Sequence, residues 1–287
     1  MSVGLSLLFA ITVHTSEGNV SRPPDHEASH GSAIESSEAE PAWNGFSFRV
    51  GALFLAPLGR SRELELLTVE GPAQLSVRNG PIAGSFVTMG HNVMPAVTLG
   101  YAFPFFNRQL SLETILALPF VMQMYAGGTL SDQSLAPTAL GNVPTGVPAL
   151  GRQLGEVRVL PPVVTAVYRF FPQWRVRPYL GLGASFLIPL EAKITNPVLT
   201  EVTTPTLRVP TKLGAVFQGG IEARLWKWFF VTADLKFIAG FDLEAQVTNV
   251  WVKTPSLPLF EAVQVGDTAA RIAVNPLVVQ LGVGMNL

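Results

Sequence analysis

The sequence predicts an all-β protein, an eight-stranded antiparallel transmembrane β-barrel with short periplasmic turns and long extracellular loops. Three observations lead there. First, the 287 residues are 48% hydrophobic and only 14% charged, against roughly 25% charged in an ordinary soluble domain, with a mean hydropathy of +0.36. Yet no stretch approaches the roughly 18 consecutive apolar residues that a membrane helix requires. A barrel reconciles the two, because lipid-facing and lumen-facing residues alternate along each strand. Second, the apolar period from Gly45 onward is two. In Phe46–Phe54, Phe46, Phe48, Val50, Ala52 and Phe54 fall on one face and Ser47, Arg49 and Gly51 on the other; in the segment 229–239, Val231, Leu235 and Phe237 oppose Thr232, Asp234 and Lys236. Third, the connectors alternate in length, which a soluble sandwich has no reason to do.

The chain divides into three parts. Residues 1–16 contain an apolar run, Val3 to Val13, with the length of a signal-peptide core, and are expected to be a signal whose start is truncated. Residues 17–43 turn abruptly to Ser, Glu, His and Pro, too polar to bury a core, and are expected to form a disordered leader. His26-Glu27-Ala28-Ser29-His30 in that leader spells the zinc-protease helix motif, but Pro23-Pro24 and a Ser/Gly tract flank it, so no metal site is expected. Residues 44–287 form the barrel.

Within that barrel, strands are expected at about 45–57, 93–103, 109–120, 158–171, 175–189, 212–225, 228–244 and 270–287. Short links follow the second, fourth and sixth. They carry Phe103, Phe105, Phe106, Phe170, Phe171, Trp174, Trp226, Trp228 and Phe229, as an aromatic girdle at the periplasmic headgroups would. The long connectors include a segment from Val121 to Leu150, rich in Met and aliphatic residues with Asp132 as its one acid. Such a loop either binds apolar molecules or packs against its neighbours.

The residues also resemble a known family. Leu112–Phe120, Leu160-Pro161-Pro162, Arg177–Gly183, Ala215–Ile221 before a Trp turn, and Asn275-Pro276-Leu277, in this order over about 45–287, look like the OmpW family of small outer-membrane proteins, which includes AlkL-like importers of hydrophobic compounds. The resemblance implies location in the outer membrane of a Gram-negative bacterium, contact with outer-membrane lipid and lipopolysaccharide, insertion by the barrel-assembly machinery, and passive uptake of a small hydrophobic substrate.

The alternation adds detail to that implication. Eight strands enclose room only for side chains or one small ligand. Arg49, Glu113, Arg169, Gln218, Glu222, Arg224, Asp234, Lys236 and Gln280 are expected inside as a polar network in the periplasmic half, and Leu53, Ala117, Leu187 and Val278 as an apolar upper lumen. Paired charges would block the way down, so an apolar cargo needs a lateral exit. Pro95, Pro119, Pro161 and Pro162, each lacking a ladder donor, are candidate gate residues, although prolines that simply end strands above the membrane would look the same.

Other classes have less support. Zero cysteines exclude thiolate metal sites and Cys nucleophiles, and a net charge of −1 argues against nucleic acid. No cofactor is expected. His91 is the only histidine outside the expected signal and leader segments and has no evident carboxylate partner, so an enzyme is not expected. The alternative to transport is a structural, adhesive or phage- or colicin-receptor barrel.

Overall fold

The computed structural model describes residues 44–69, 71–140, 142–257 and 259–287. The expected signal and leader segments, with the His26 to His30 motif, lie outside these. No helix among the described residues is long and apolar enough to cross a membrane.

Eight antiparallel strands close into a barrel: β1 (Phe46–Pro57), β2 (Asn92–Ala102), β3 (Leu110–Ala117), β4 (Val163–Arg169), β5 (Val176–Ile194), β6 (Lys212–Arg224), β7 (Phe229–Ala239) and β8 (Pro276–Asn286). Each strand pairs with its sequence neighbours, and β1 closes on β8 from Ser47 opposite Asn286 to Pro57 opposite Pro276. Closure leaves the wall without edges, the condition for crossing a membrane with strands.

Alternation decides which side chains face lipid. In β7, Thr232, Asp234, Lys236 and Ile238 are buried, while Leu235 and Phe237 are exposed. Leu180 and Leu182 of β5 are 60% and 63% exposed. An outward band of this kind would be a liability in water and is the hydrophobic belt of a barrel in lipid. At the short-turn rim, Trp226 is 76% exposed and Phe106 66%. Rings there pack in sequence, Phe103 on Phe105 at 5.1 Å and Phe171 on Trp174 at 4.4 Å between centroids.

Inside, large side chains take the space that glycines leave. A Cβ on Gly220 would come within 2.5 Å of the Tyr179 ring and hydroxyl, and one on Gly284 within 2.3 Å of the Phe230 ring.

At the opposite rim the long connectors fold into further sheet. Strands Ser85–Met89, Phe120–Gly128 and Gln153–Leu160 carry the wall upward beside the long β5, and a hairpin of Asp242–Lys253 and Ala262–Ala273 forms a second sheet with shorter strands. Met122, Met124, Leu130, Val147 and Leu150 of the apolar loop are buried, so these residues pack against neighbouring loops, while Leu140 and Val143 stay exposed.

The expected seventh and eighth strands each divide at a bend. Gly240, at φ +91°, separates β7 from the hairpin, and Asn275, at φ +27°, precedes β8. The Gly240 N–H donates to the Asn275 side-chain oxygen at 3.1 Å. The period of two continues across both bends, so they are silent in the hydrophobic pattern.

Candidate functional site: a charged plug beneath an apolar chamber

The lower lumen is built from one or two inward positions on each barrel strand. Glu113 of β3 lies 3.1 Å from the Arg49 guanidinium of β1 and 2.5 Å from Arg169 of β4. Arg169 also reaches Glu222 of β6 at 3.0 Å, and Glu222 takes a second guanidinium from Arg177 of β5. On β7, Asp234 accepts from Lys236 at 2.5 Å and from Gln218 at 2.9 Å, with Arg49 at 3.6 Å. Gln280 of β8 donates to Thr98 of β2 at 3.0 Å.

All of these except Arg177 are buried, Lys236 and Gln280 to within 1% of complete. Carboxylates and guanidiniums so placed are tolerable only because each is held by more than one partner. The mesh ties the wall together across the lumen and leaves no straight path for an apolar molecule.

Thr98, Arg177 and Tyr179 were not among the expected members. Arg177 stands in the inward register of β5 but follows a turn and precedes a proline, where a two-residue period has barely begun. Tyr179, 1% exposed, lies under the Arg169 guanidinium at 5.8 Å from its ring centroid. Its signal was the small Gly220 opposite it in register. Arg224, expected within the mesh, instead donates to the Pro172 carbonyl at the periplasmic turn and is only partly buried. Its strand ends there, so its side chain reaches the rim rather than the lumen centre.

Above the mesh is a narrow cavity of about 30 Å³ lined by Leu53, Met94, Ile115, Leu187, Phe241 and Val278 among others, with Lys236 its one charged lining residue. Ala117 ends β3, opposite Ala96 of β2. A second cavity of about 60 Å³ lies within the cap, lined by aliphatic residues such as Leu66, Val87, Leu199 and Val265 with no charged residue. Met122 lines the lower cavity and Met124 the upper. Two residues on one strand separate them, about 7 Å, so the cavities are stacked.

The wall beside the lower cavity is interrupted. β3 and β4 pair up to Ile115 opposite Val163, and pairing resumes only at Phe120 opposite Val159. Among the described residues no ladder pair joins the intervening Leu116–Pro119 to Leu160–Pro162. Pro119 and the Pro161-Pro162 pair lack the donors that would close it. On the other flank, β2 and β3 stop pairing at Ala96 opposite Ala117. Pro95 therefore sits opposite Ala52 of β1 and has no ladder partner on the β3 side. Four residues flanking the window, Ile115, Phe120, Pro161 and Val163, also line the lower cavity.

His91 is exposed and stacks on Phe54 with 5.9 Å between ring centroids. Among the described residues no cluster of three metal-ligating side chains occurs.

Comparison with known proteins agrees with this architecture. The OmpW family model matches residues 66–287. The crystal structure of the outer membrane protein OprG from Pseudomonas aeruginosa aligns with a TM-score of 0.61 at 17% identity, covering 84% of this chain and 94% of that one. The solid-state NMR structure of the outer membrane protein AlkL in lipid bilayers aligns at 0.49 and 16% identity, covering 92% and 96%. The solution structure of the E. coli outer membrane protein W aligns at 0.41 and 16% identity, covering 85% and 98%. A search of curated proteins found no match. A closed eight-stranded barrel with an apolar belt, matched over most of its length by one family model, is a member of the OmpW family, an outer-membrane β-barrel of the Gram-negative envelope.

Proposed function

We propose that this barrel mediates passive uptake of small hydrophobic molecules, which enter the capped upper cavity, descend to the chamber above the charged mesh, and leave sideways into the membrane between β3 and β4. The observation that carries the reading is the coincidence of chamber and window. The unpaired wall segment lies beside the largely apolar lower cavity, and below it the lumen is filled with ion pairs. An apolar molecule in this chamber faces a cost of crossing buried charge on one side and hydrocarbon on the other.

As they stand the two cavities have room for little more than a few waters, so in this reading cargo enters by spreading the Met and aliphatic side chains that line them. The leading partners in this reading are that cargo, outer-membrane lipid with lipopolysaccharide, and the barrel-assembly machinery. In this reading the protein works as a conduit and not as an enzyme.

The test compares uptake of decane and of a small sugar by cells with and without the gene. Loss of decane uptake alone is the expected result. Unchanged decane uptake in the deletion strain, with no redundant carrier, would move the assignment to a structural or receptor barrel.

A further inference from the structure

We infer that the chamber above the mesh is a head-group site for amphiphilic carboxylic acids, with Lys236 holding the acid and the aliphatic wall holding the tail. This rests on the uptake reading and narrows its substrate class. Three observations converge on it.

Lys236 is the one charged residue lining the lower cavity. It is 1% exposed, and its ammonium makes one hydrogen bond, to Asp234. An ammonium carries three N–H donors, so donors remain for an acid oxygen arriving from above.

The charge of the mesh is also uneven. Arg49, Arg169, Arg177 and Lys236 oppose Glu113, Glu222 and Asp234 within one connected set of ion pairs. Four cations against three carboxylates leave one positive charge in a confined, water-poor lumen, where the attraction of an anion is much stronger than in bulk water. A carboxylate beside Lys236 would balance the set.

Finally, the side-chain oxygens of Gln218 and Gln280 are buried without hydrogen-bond partners. Gln218 stands opposite Lys236 in register, and Gln280 stands opposite Asp234. Neither lines the cavity itself, but at the level of Lys236 and Asp234 their oxygens can accept a hydrogen bond from the O–H of an acid that arrives neutral. The upper cavity has no charged lining residue. Discrimination by head group therefore falls to the lower one.

Full-length protein in nanodiscs, loaded with a fluorescent apolar probe, tests this by displacement with decanoate, decanol and decane. Decanoate should displace the probe from the native protein at about tenfold lower concentration than decanol, the effect of one charge-assisted hydrogen bond. Lys236→Met should erase that difference and Lys236→Arg should retain it. Lys236→Met leaves three cations against three carboxylates, with Asp234 still held by Gln218 at 2.9 Å and Arg49 at 3.6 Å, and Lys236→Gln is a second neutral variant. Heat-modifiable migration checks that each variant is folded.

Equal displacement by decanoate and decanol in the native protein would overturn the inference. So would a decanoate advantage that survives in a folded neutral variant. Failure of decane to displace the probe from the native protein would count against the uptake reading, whereas the decanoate-to-decanol ratio decides the head-group site alone.

Discussion

Glu113→Gln removes one negative charge from the centre of the mesh while keeping the shape of the side chain. Glu113 is 4% exposed and bridges Arg49 at 3.1 Å and Arg169 at 2.5 Å. After the change four cations face two carboxylates. Breaking a buried ion pair by removing one partner costs about 3–5 kcal/mol. Arg49 keeps Asp234 at 3.6 Å and Arg169 keeps Glu222 at 3.0 Å, so the expected loss lies at the lower end, about 3 kcal/mol. That is a factor of roughly 150 in the folding equilibrium. Reversible urea unfolding in lipid vesicles, followed by tryptophan fluorescence and by heat-modifiable migration, reads it directly. Adding Arg49→Gln should recover part of the loss, because three cations then face two carboxylates. A loss below about 1 kcal/mol, the size of an exposed surface pair, would refute the claim that these charges form a dry, mutually dependent plug.

Other expectations follow from the same geometry. Leu182→Arg, on the lipid face, should impair insertion into vesicles by about 2–4 kcal/mol if the residue lies near the bilayer midplane; tolerance there would mean that inside and outside are reversed. Gly220→Ala should cost about 1–3 kcal/mol in the same unfolding assay, because its Cβ would meet the Tyr179 ring and the Ala233 carbonyl, and Tyr179→Leu should relieve only the part due to the ring. Planar-bilayer conductance of the native protein should be small, because the lower lumen is filled by Arg49, Glu113, Arg169 and Glu222.

How legible this was depends on where the information is stored. The strand count and the inside-outside assignment follow from the period of two, since a pleated strand must alternate its side chains. Asp234 and Lys236 could be placed inside because Leu235 and Phe237 beside them are apolar. The bends at Gly240 and Asn275 were hidden because alternation continues through them. Arg177 was hidden because a turn precedes it, and Arg224 was placed too deep because parity gives the face but not the reach of a long side chain. The apolar loop residues Met122 and Met124 could be read as binding or packing residues, and only long-range pairing with the strand 153–160 shows where they lie. Proline positions suggested a gap, but neighbouring-strand register was needed to see that Pro119 and the Pro161-Pro162 pair lie on opposite sides of the same unpaired stretch.

The central claim is that cargo leaves through that gap. The β3–β4 register, continued upward from Ile115 opposite Val163, sets Ala117 opposite Pro161. The native chain has no cysteine, so Ala117→Cys with Pro161→Cys can be joined specifically by a short thiol-reactive linker. The decisive measurement is decane uptake by cells carrying this double variant, before linkage, after linkage and after cleavage of the linker. Uptake that stops on linkage and returns on cleavage, with the barrel still heat-modifiable, is the expected result; uptake that continues at the native rate through a verified closed link would contradict the lateral route.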